Sequence, residues 1–490
     1  GNGPGDLEDY HQTFHSSERF CGGFIWEWSD HSVILGETPD GKPKYGYGGD
    51  WGEKHNDGNF CMDGLVYPDR TVHTGLLEYK NVYRPVRVVS YDKESGELVL
   101  HNYLDFDDLK DYVKISYELT QDGLVISKGI LPEFFVAPHG EGKTNLKISV
   151  PENGKCYLKL IYHLKKELPL LDEDHILGFD EIEVSKDDAK CKLAEKWLQK
   201  TAVDSELQVN ENDTQIHIKG REFAYTIDKR TALFTEMKFA GREYLNHPME
   251  LNIWRAPTDN DMYIKSEWKK AHYDKAYTRA YTTEVVQGKH GVKITSHASV
   301  VAETVQKILD VTITWKIEAA GKIDADIAVT KDDEFPDLPR FGVRMFLDKK
   351  LSAARYFGMG PQESYCDKHQ AASHGLYQAN VDDLHEDYIR PQENGSHYDC
   401  EYVELNNSRY GIVVSAENAF SFNASYYTQE ELEKKTHNYE LIESDSVVFC
   451  VDYALNGIGS NSCGPVVLEQ YRFDDVLFRF QFTLIPYVKG

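Results

Sequence analysis

At 490 residues the chain is long enough for about three domains of roughly 150 residues, each able to bury its own core. Its 81 acidic residues outnumber 54 basic ones for a formal charge of -27, and so acidic a surface repels a phosphate backbone instead of releasing its counterions. Nucleic acid is therefore a poor partner, and with 28% charged residues and no apolar run of bilayer length a membrane role is argued against as well.

The first predicted element is a helix in "DLEDYHQTFHSS", where Leu7, Tyr10 and Phe14 fall at helical spacing, Asp6 can cap and Asp9 places an acid in the first turn. "GGFIWEW" follows as a near-continuous apolar run behind glycines, which predicts a strand buried on both faces of a parallel sheet. A long Gly- and Asp-rich loop leads to "TVHTGLLEYKNVYRP", where Val72, Leu76, Tyr79 and Val82 repeat at helical spacing until Pro85 closes the segment. Helix, buried strand, long loop and helix make the rhythm of the end of a (β/α)8 barrel, assigned to residues 1–85. The opening "GNGPGDLEDY" has no initiator methionine and begins in mid-loop, so the chain is expected to be a piece of something longer.

From about Val86 the period changes to two. Val113, Ile115, Tyr117 and Leu119 alternate with polar residues, and Leu146, Ile148 and Val150 are predicted to run through the turn "PENGK" into Cys156, Leu158, Leu160 and Tyr162 as a hairpin of an antiparallel sandwich, residues 86–200. After the charged stretch "EVSKDDAKCKLAEKW" alternation resumes with Val311, Ile313, Trp315 and Ile317, then Ile323, Ala325, Ile327 and Val329 across "EAAGK", and ends on Phe478, Phe480, Phe482 and Leu484. Residues 201–490 thus read as almost wholly β, with one exception in "TQEELEKK", where Thr428 and Glu431 predict a capping box.

Several clusters invite chemistry. His11 and His15 stand four apart like a zinc-peptidase pair, but Gln12 replaces the glutamate base and no third ligand is evident, so a solvated helix face is the reading. Trp26 and Trp28 fit either a core or the strand end where barrel enzymes hold substrate, since an indole face suits the apolar face of a sugar. The loop Gly48 to Arg70 is denser in Gly, Asp and Asn than a connection requires, and Phe60, Cys61 and Met62 stand in a row beside Asp63. Asp259, Asn260 and Asp261 suit either an Asx-turn or a cation held by hard oxygens. Eight cysteines, at 21, 61, 156, 191, 366, 400, 450 and 463, show no zinc or disulfide spacing and read as reduced thiols of a cytoplasmic protein.

The motifs "GGFIWEWSD", "YGGDWGEKHNDGNFCMDGLVYPDRTVH", "WRAPTDND", "GMGPQESYCDKHQA", "RPQENGSH" and "GIGSNSCGP" occur in this order, and the set resembles the large bacterial β-galactosidases of glycoside hydrolase family two. The resemblance implies a mainly β C-terminal part: the end of a TIM barrel, an immunoglobulin-like β-sandwich and a large mutarotase-like antiparallel supersandwich. It implies that the nucleophilic glutamate, in a motif ending "AMGN", and the acid/base glutamate both precede this chain, and that Glu27 is a barrel-wall acid. By the same resemblance Trp26 is the floor of the galactose subsite, and Phe60 is the phenylalanine whose ring moves and whose carbonyl ligates sodium. Asp63 stands where the best-known relatives carry a sodium-ligating asparagine; it keeps a hard oxygen and adds charge. Cys463 replaces a tryptophan that stacks on the leaving sugar in some relatives, a loss that bears on aglycone binding. Tyr263 takes a glycine position at the start of a mobile loop, which implies a stiffer hinge.

The expected function is hydrolysis of terminal, lactose-like β-galactosides with retention, in an intact homo-oligomer that includes the preceding half and uses sodium at Phe60 and Asp63 and magnesium held mainly by residues outside this chain. Two other classes remain open: a non-catalytic carbohydrate-binding or scaffolding β-sandwich module, and a mutarotase-like enzyme in the large β region, for which no defensible His and Glu pair is found.

Overall fold

The computed structural model describes residues 1–198, 207–305 and 307–489, and these are mainly β. Among them, no helix is long and apolar enough to cross a membrane.

The two predicted early helices form at Leu7–His15 and Thr74–Val82, with departures in what they bury. Asp6 stands at the N-cap in the left-handed region with φ 60 and makes no capping bond; both of its carboxylate oxygens are buried without a partner. Burial, with Asp367 and Asp9 nearby, pushes its pKa up to about 7. His11 is buried against the rings of Tyr83 and Tyr103, which corrects the solvated-face reading for that residue; His15 is exposed. In the second helix the buried face is Gly75, Glu78, Asn81 and Val82 instead of the Leu76 and Tyr79 stripe, and Val72 lies exposed before the helix begins. The reason is polar docking: the backbone N–H groups of Gln370 and Ala371 donate to Glu78 at 2.9 and 2.8 Å, and Asn81 donates to the Gln370 carbonyl at 2.7 Å.

The segment "GGFIWEW" is not a strand, and Phe24, Trp26 and Trp28 are exposed. A buried parallel strand needs a ladder on both sides. Here the segment meets the 63–66 loop: Glu27 N–H donates to the Asp63 carbonyl at 3.1 Å, Val66 N–H to the Trp28 carbonyl at 3.0 Å, and Ser29 forms a single parallel bridge with Val66.

Beyond residue 86 two antiparallel sheets face each other. One orders Val86–Tyr91, Glu97–Asn102 and Glu141–Asn145; the other orders Leu124–Ile130, Val113–Gln121, Cys156–Leu164 and Ile176–Glu183. Leu98, Leu100, Leu119, Leu158, Leu160 and Tyr162 fill the space between. The predicted hairpin through "PENGK" does not form, because residues 146–150 cross from one sheet to the other; Leu146, Ile148 and Val150 still pack on the shared core. Alternation reported burial correctly but not pairing.

The remaining strands build a five-stranded sheet and a twelve-stranded antiparallel sheet whose path runs from Leu245–Asn252 to Tyr277–Gln287, two strands that touch again so that the sheet nearly closes. The predicted pair Leu309–Glu318 and Ile323–Lys331 is a hairpin within it, and Leu477–Val488 lies beside the latter. A helix at Ile264–Lys270 corrects the almost wholly β expectation; its Trp268 is buried and donates its indole N–H to the Asp337 carbonyl at 2.8 Å. Thr428 caps the helix Gln429–Lys434 as predicted, but Glu431 does not return the bond: its carboxylate accepts from Ile442 N–H at 2.9 Å.

Residues 1–85 are tied to the large sheet by a buried polar hub. The Lys368 ammonium donates to Asn2, Glu363 and Thr74 at 2.8, 2.8 and 3.1 Å. Burial alone would raise the Glu363 carboxyl, but the Lys368 charge and the hydrogen bonds it receives bring it down to about 2. A second clamp joins the four-stranded sheet to the large one: His374 donates to Glu181 at 2.7 Å and Asp399 at 2.9 Å, and stacks on Tyr157 with centroids 4.2 Å apart. Burial would lower the imidazole, yet the two carboxylates raise it to about 9. A folded pKa above the unfolded value near 6.5 means that this clamp contributes fully below about pH 6.5 and is lost as pH rises through about 9. Denaturant unfolding followed from pH 6 to 10 should therefore show a loss on the order of 3 kcal/mol that His374→Phe abolishes; parallel pH profiles for both proteins would refute the assignment.

Candidate functional site

A cavity of about 830 Å³ opens where the first helix, the 23–26 segment, the 57–65 loop, the 257–265 segment and the 460–464 turn meet. Trp26, Phe60, Asp63 and Cys463 all line it, and Trp26 and Phe60 expose 78% and 48% of their surface. The chain bends at Trp26 and Trp28, and the aromatic pair is split. Trp26 faces this cavity, while Glu27 and Trp28 face a separate depression of about 620 Å³ together with Trp51 and Arg70.

Each wall has a local cause. The 57–62 loop is a single 3-10 turn, Gly58–Cys61, in which Met62 is buried against Tyr45, Tyr47 and Ile389 while Phe60 stays outside. Asn59 donates to Asp259 at 2.7 Å and so joins this loop to the third region. There Thr258 N–H donates to the Asp261 carboxylate at 2.9 Å across the 3-10 turn Asp259–Met262, and the same carboxylate is held by Arg255 at 2.7 and 3.0 Å in the interior. Asn260 donates to the carbonyls of Gly3 and Gly459 at 2.8 and 2.6 Å and accepts from the Ser462 hydroxyl at 2.8 Å. Residues 259–261 thus form a 3-10 turn whose side-chain oxygens accept hydrogen bonds from Asn59, Gln392, Ser462, Arg255 and Thr258 N–H. Among the described residues no three His, Cys, Asp or Glu side chains are grouped to hold a metal ion. Tyr263 has φ -93 and ψ -53, a right-handed conformation that any residue adopts, so the observed turn does not itself require glycine.

The electrostatics centre on Asp63. Its Oδ1 is buried with no hydrogen-bond partner, and burial together with the nearby acids Glu27 and Asp30 pushes its carboxyl above the ordinary range. An orphaned hard oxygen among acids is a setting that a cation stabilises, so the Phe60 and Asp63 pair fits part of a sodium site. Cys463 is an exposed thiol at the rim; all eight cysteines are free. Lys265 and Arg390 also line the cavity, as do Tyr10, whose hydroxyl bonds the Ser460 hydroxyl at 3.1 Å, and Met262. Sequence reading assigned none of these residues to the site; a signal lay in Arg390, which opens "RPQENGSH", and in Met262, which directly follows "WRAPTDND".

A family model described as the β-galactosidase small chain matches residues 219–484, more than half of the chain. This chain belongs to the β-galactosidases of glycoside hydrolase family two. The TIM barrel domain model of the family 2 glycosyl hydrolases matches residues 1–88, and a β-galactosidase domain 4 model matches residues 98–185. A β-galactosidase of Actinobacillus pleuropneumoniae is 44% identical over 99% of this chain and 46% of its own length, and one of Staphylococcus xylosus is 34% identical over 99% of this chain and 48% of its own. The chain thus spans about half the length of the curated β-galactosidases it matches and corresponds to their C-terminal part. Among solved structures, a galactose 1-epimerase from Lactobacillus acidophilus NCFM covers 59% of this chain and 100% of its own at 8% identity and a TM-score of 0.32, too slight a likeness to carry an argument.

Proposed function

We propose that the chain is part of a retaining β-galactosidase, to which it supplies the floor, the sodium loop and one wall of the galactoside site. The observation that carries this reading is the meeting of an exposed indole, Trp26, with Phe60, Asp63 and Cys463 on one cavity, although they come from opposite ends of the chain. An indole face offers an apolar platform to the C–H face of a sugar ring, and the carbonyls and carboxylates around it suit its hydroxyls. The Phe60 carbonyl and the Asp63 carboxylate would hold sodium, which when bound supplies a fixed positive charge for a sugar hydroxyl. Cys463 leaves the aglycone side without an indole. Both catalytic glutamates and most magnesium ligands belong, under this reading, to the preceding half of a cytoplasmic homo-oligomer. Residues 1–85 are then the end of a (β/α)8 barrel, 86–200 an immunoglobulin-like sandwich and 201–490 a mutarotase-like supersandwich; the separate sheets on either side of residues 86 and 207 support this division. A free-standing binding module is disfavoured by the exposed Phe24 and Trp28, whose segment lacks a ladder of its own.

Retention is tested by proton NMR of the first turnovers of the intact enzyme on p-nitrophenyl β-galactoside. The β anomer of galactose should appear first and the α anomer only by later mutarotation. An α anomer in the first turnovers would refute the double-displacement reading.

A further inference from the structure

Asp30 and His73 are 3% and 2% exposed, and the galactoside site as described above gives neither of them a role. Gly64 N–H donates to Asp30 Oδ1 at 2.8 Å, and the other oxygen, Oδ2, lies 2.8 Å from His73 Nε2. The backbone repeats the grip: Asp30 N–H donates to the Val66 carbonyl at 2.9 Å and His73 N–H to the Leu65 carbonyl at 3.2 Å. Contact at Gly64 is so close that a Cβ there would stand 2.1 Å from the Asp30 nitrogen. The imidazole plane is set by stacking on Tyr67, with centroids 3.6 Å apart and planes 18° apart, and by Tyr388 beyond it at 5.8 Å.

From this geometry we infer that the Asp30–His73 pair is a positioning device that holds the Asp63–Gly64–Leu65 turn, and with it the cation-holding edge of the cavity, in register with the Trp26 platform. The inference rests on the sodium reading of Phe60 and Asp63. A carboxylate only accepts, so the His73 proton sits on Nε2 and Nδ1 is bare; Nδ1 is buried without a partner. Burial lowers the His73 pKa, which keeps the ring neutral. Asp30 thus accepts one N–H on each oxygen and spends one of the two oxygens on the turn. Neither side chain acts on substrate: His73 borders the cavity and Asp30 the neighbouring depression, but at 2% and 3% exposure they present almost no surface, and their influence passes through the backbone of Gly64 to Asp63. Without the pair, the turn next to Asp63 keeps its backbone hydrogen bonds to residues 27–30 but loses the side-chain grip on Gly64.

Three variants of the intact enzyme separate the hydrogen bond from packing. His73→Phe keeps a ring against Tyr67 and removes the donor, His73→Gln restores a donor near the Nε2 position, and Asp30→Asn keeps the shape while weakening the grip on Gly64. Two readouts apply: the sodium-dependent rise in melting temperature, titrated against a bulky organic cation at constant ionic strength, and KM for a chromogenic galactoside. His73→Phe and Asp30→Asn should raise the sodium midpoint and KM by about tenfold, with a smaller change in kcat, while His73→Gln recovers most of both. Unchanged sodium midpoints in variants whose melting temperature has fallen would overturn the positioning role and leave only a structural one. A parent enzyme whose melting temperature does not respond to sodium would overturn the cation reading itself and this inference with it.

Discussion

Residues 1–490 assayed alone should leave a chromogenic β-galactoside unhydrolysed above background. Retention needs two carboxyl groups about 5 Å apart across the glycosidic bond, one nucleophilic and one shuttling a proton, and loss of groups that act as such a unit costs roughly a millionfold. The acids near the cavity are already committed. Asp30 is held by Gly64 and His73, Asp50 accepts from Tyr47 N–H and pairs with His437 at 2.8 Å, Glu53 accepts from the N–H groups of Gly49 and Trp51, and Glu27 pairs with His31 at 3.2 Å. Of the three acids on the cavity wall, Asp259 receives bonds from Asn59 and Gln392, Asp63 has a buried oxygen without a partner and Asp57 is exposed on its loop, and under the proposed reading the catalytic pair is none of them and belongs to the preceding half. The preceding half of the enzyme, added in trans, should restore turnover if the two halves dock through the exposed face around Phe24 and Trp28. Appreciable activity of 1–490 purified free of host enzyme would sink this account and turn attention to Glu27, Asp30, Asp50 and Glu53.

In the intact enzyme, Trp26→Ala should lower kcat/KM for galactosides by about a hundredfold to a thousandfold. Covering one indole face with a sugar removes apolar surface from water and adds ring contacts, together roughly 3 to 4 kcal/mol, at about 1.4 kcal/mol per factor of ten. The fold should survive the change. With 78% of its surface exposed, Trp26 contributes little to any core, so the melting temperature should move by no more than a degree or two while turnover collapses. A variant with unchanged kinetics would return Trp26 to the class of ordinary surface aromatics, and one with a large stability loss would mean that the indole is packed in the intact enzyme.

Local order was legible wherever one face of an element is buried. Val311, Ile313, Trp315 and Ile317 alternate because their partners across the hairpin, Val329, Ile327, Ala325 and Ile323, share the same buried face. The Leu7–His15 helix and the Thr428 cap were readable for the same reason: spacing and a short side-chain bond are local properties. The run "GGFIWEW" was not, because apolar content records what a segment can bury but not whether a neighbouring strand is there to pair with it. Residues 146–150 misled similarly, since burial on a common core is compatible with pairing, crossing or neither.

The sequence by itself determined family membership, through ordered motifs spread over the whole chain, and with it the expectation that Trp26, Phe60, Asp63 and Cys463 serve one site. It also determined the helices Leu7–His15, Thr74–Val82 and Gln429–Lys434 and the strands Val113–Gln121, Cys156–Leu164, Leu309–Glu318, Ile323–Lys331 and Leu477–Val488, because period and capping act over a few residues. Only the tertiary structure decided that those four side chains reach the same cavity, that Asp259 to Asp261 give their oxygens to Asn59, Gln392, Ser462 and Arg255, and that Asp30, held by His73, grips Gly64. No periodicity links residues so far apart in the chain. Their meeting depends on how the large sheet, the 57–65 loop and the first helix pack, and that is settled by long-range burial and hydrogen bonding, which a local pattern does not encode.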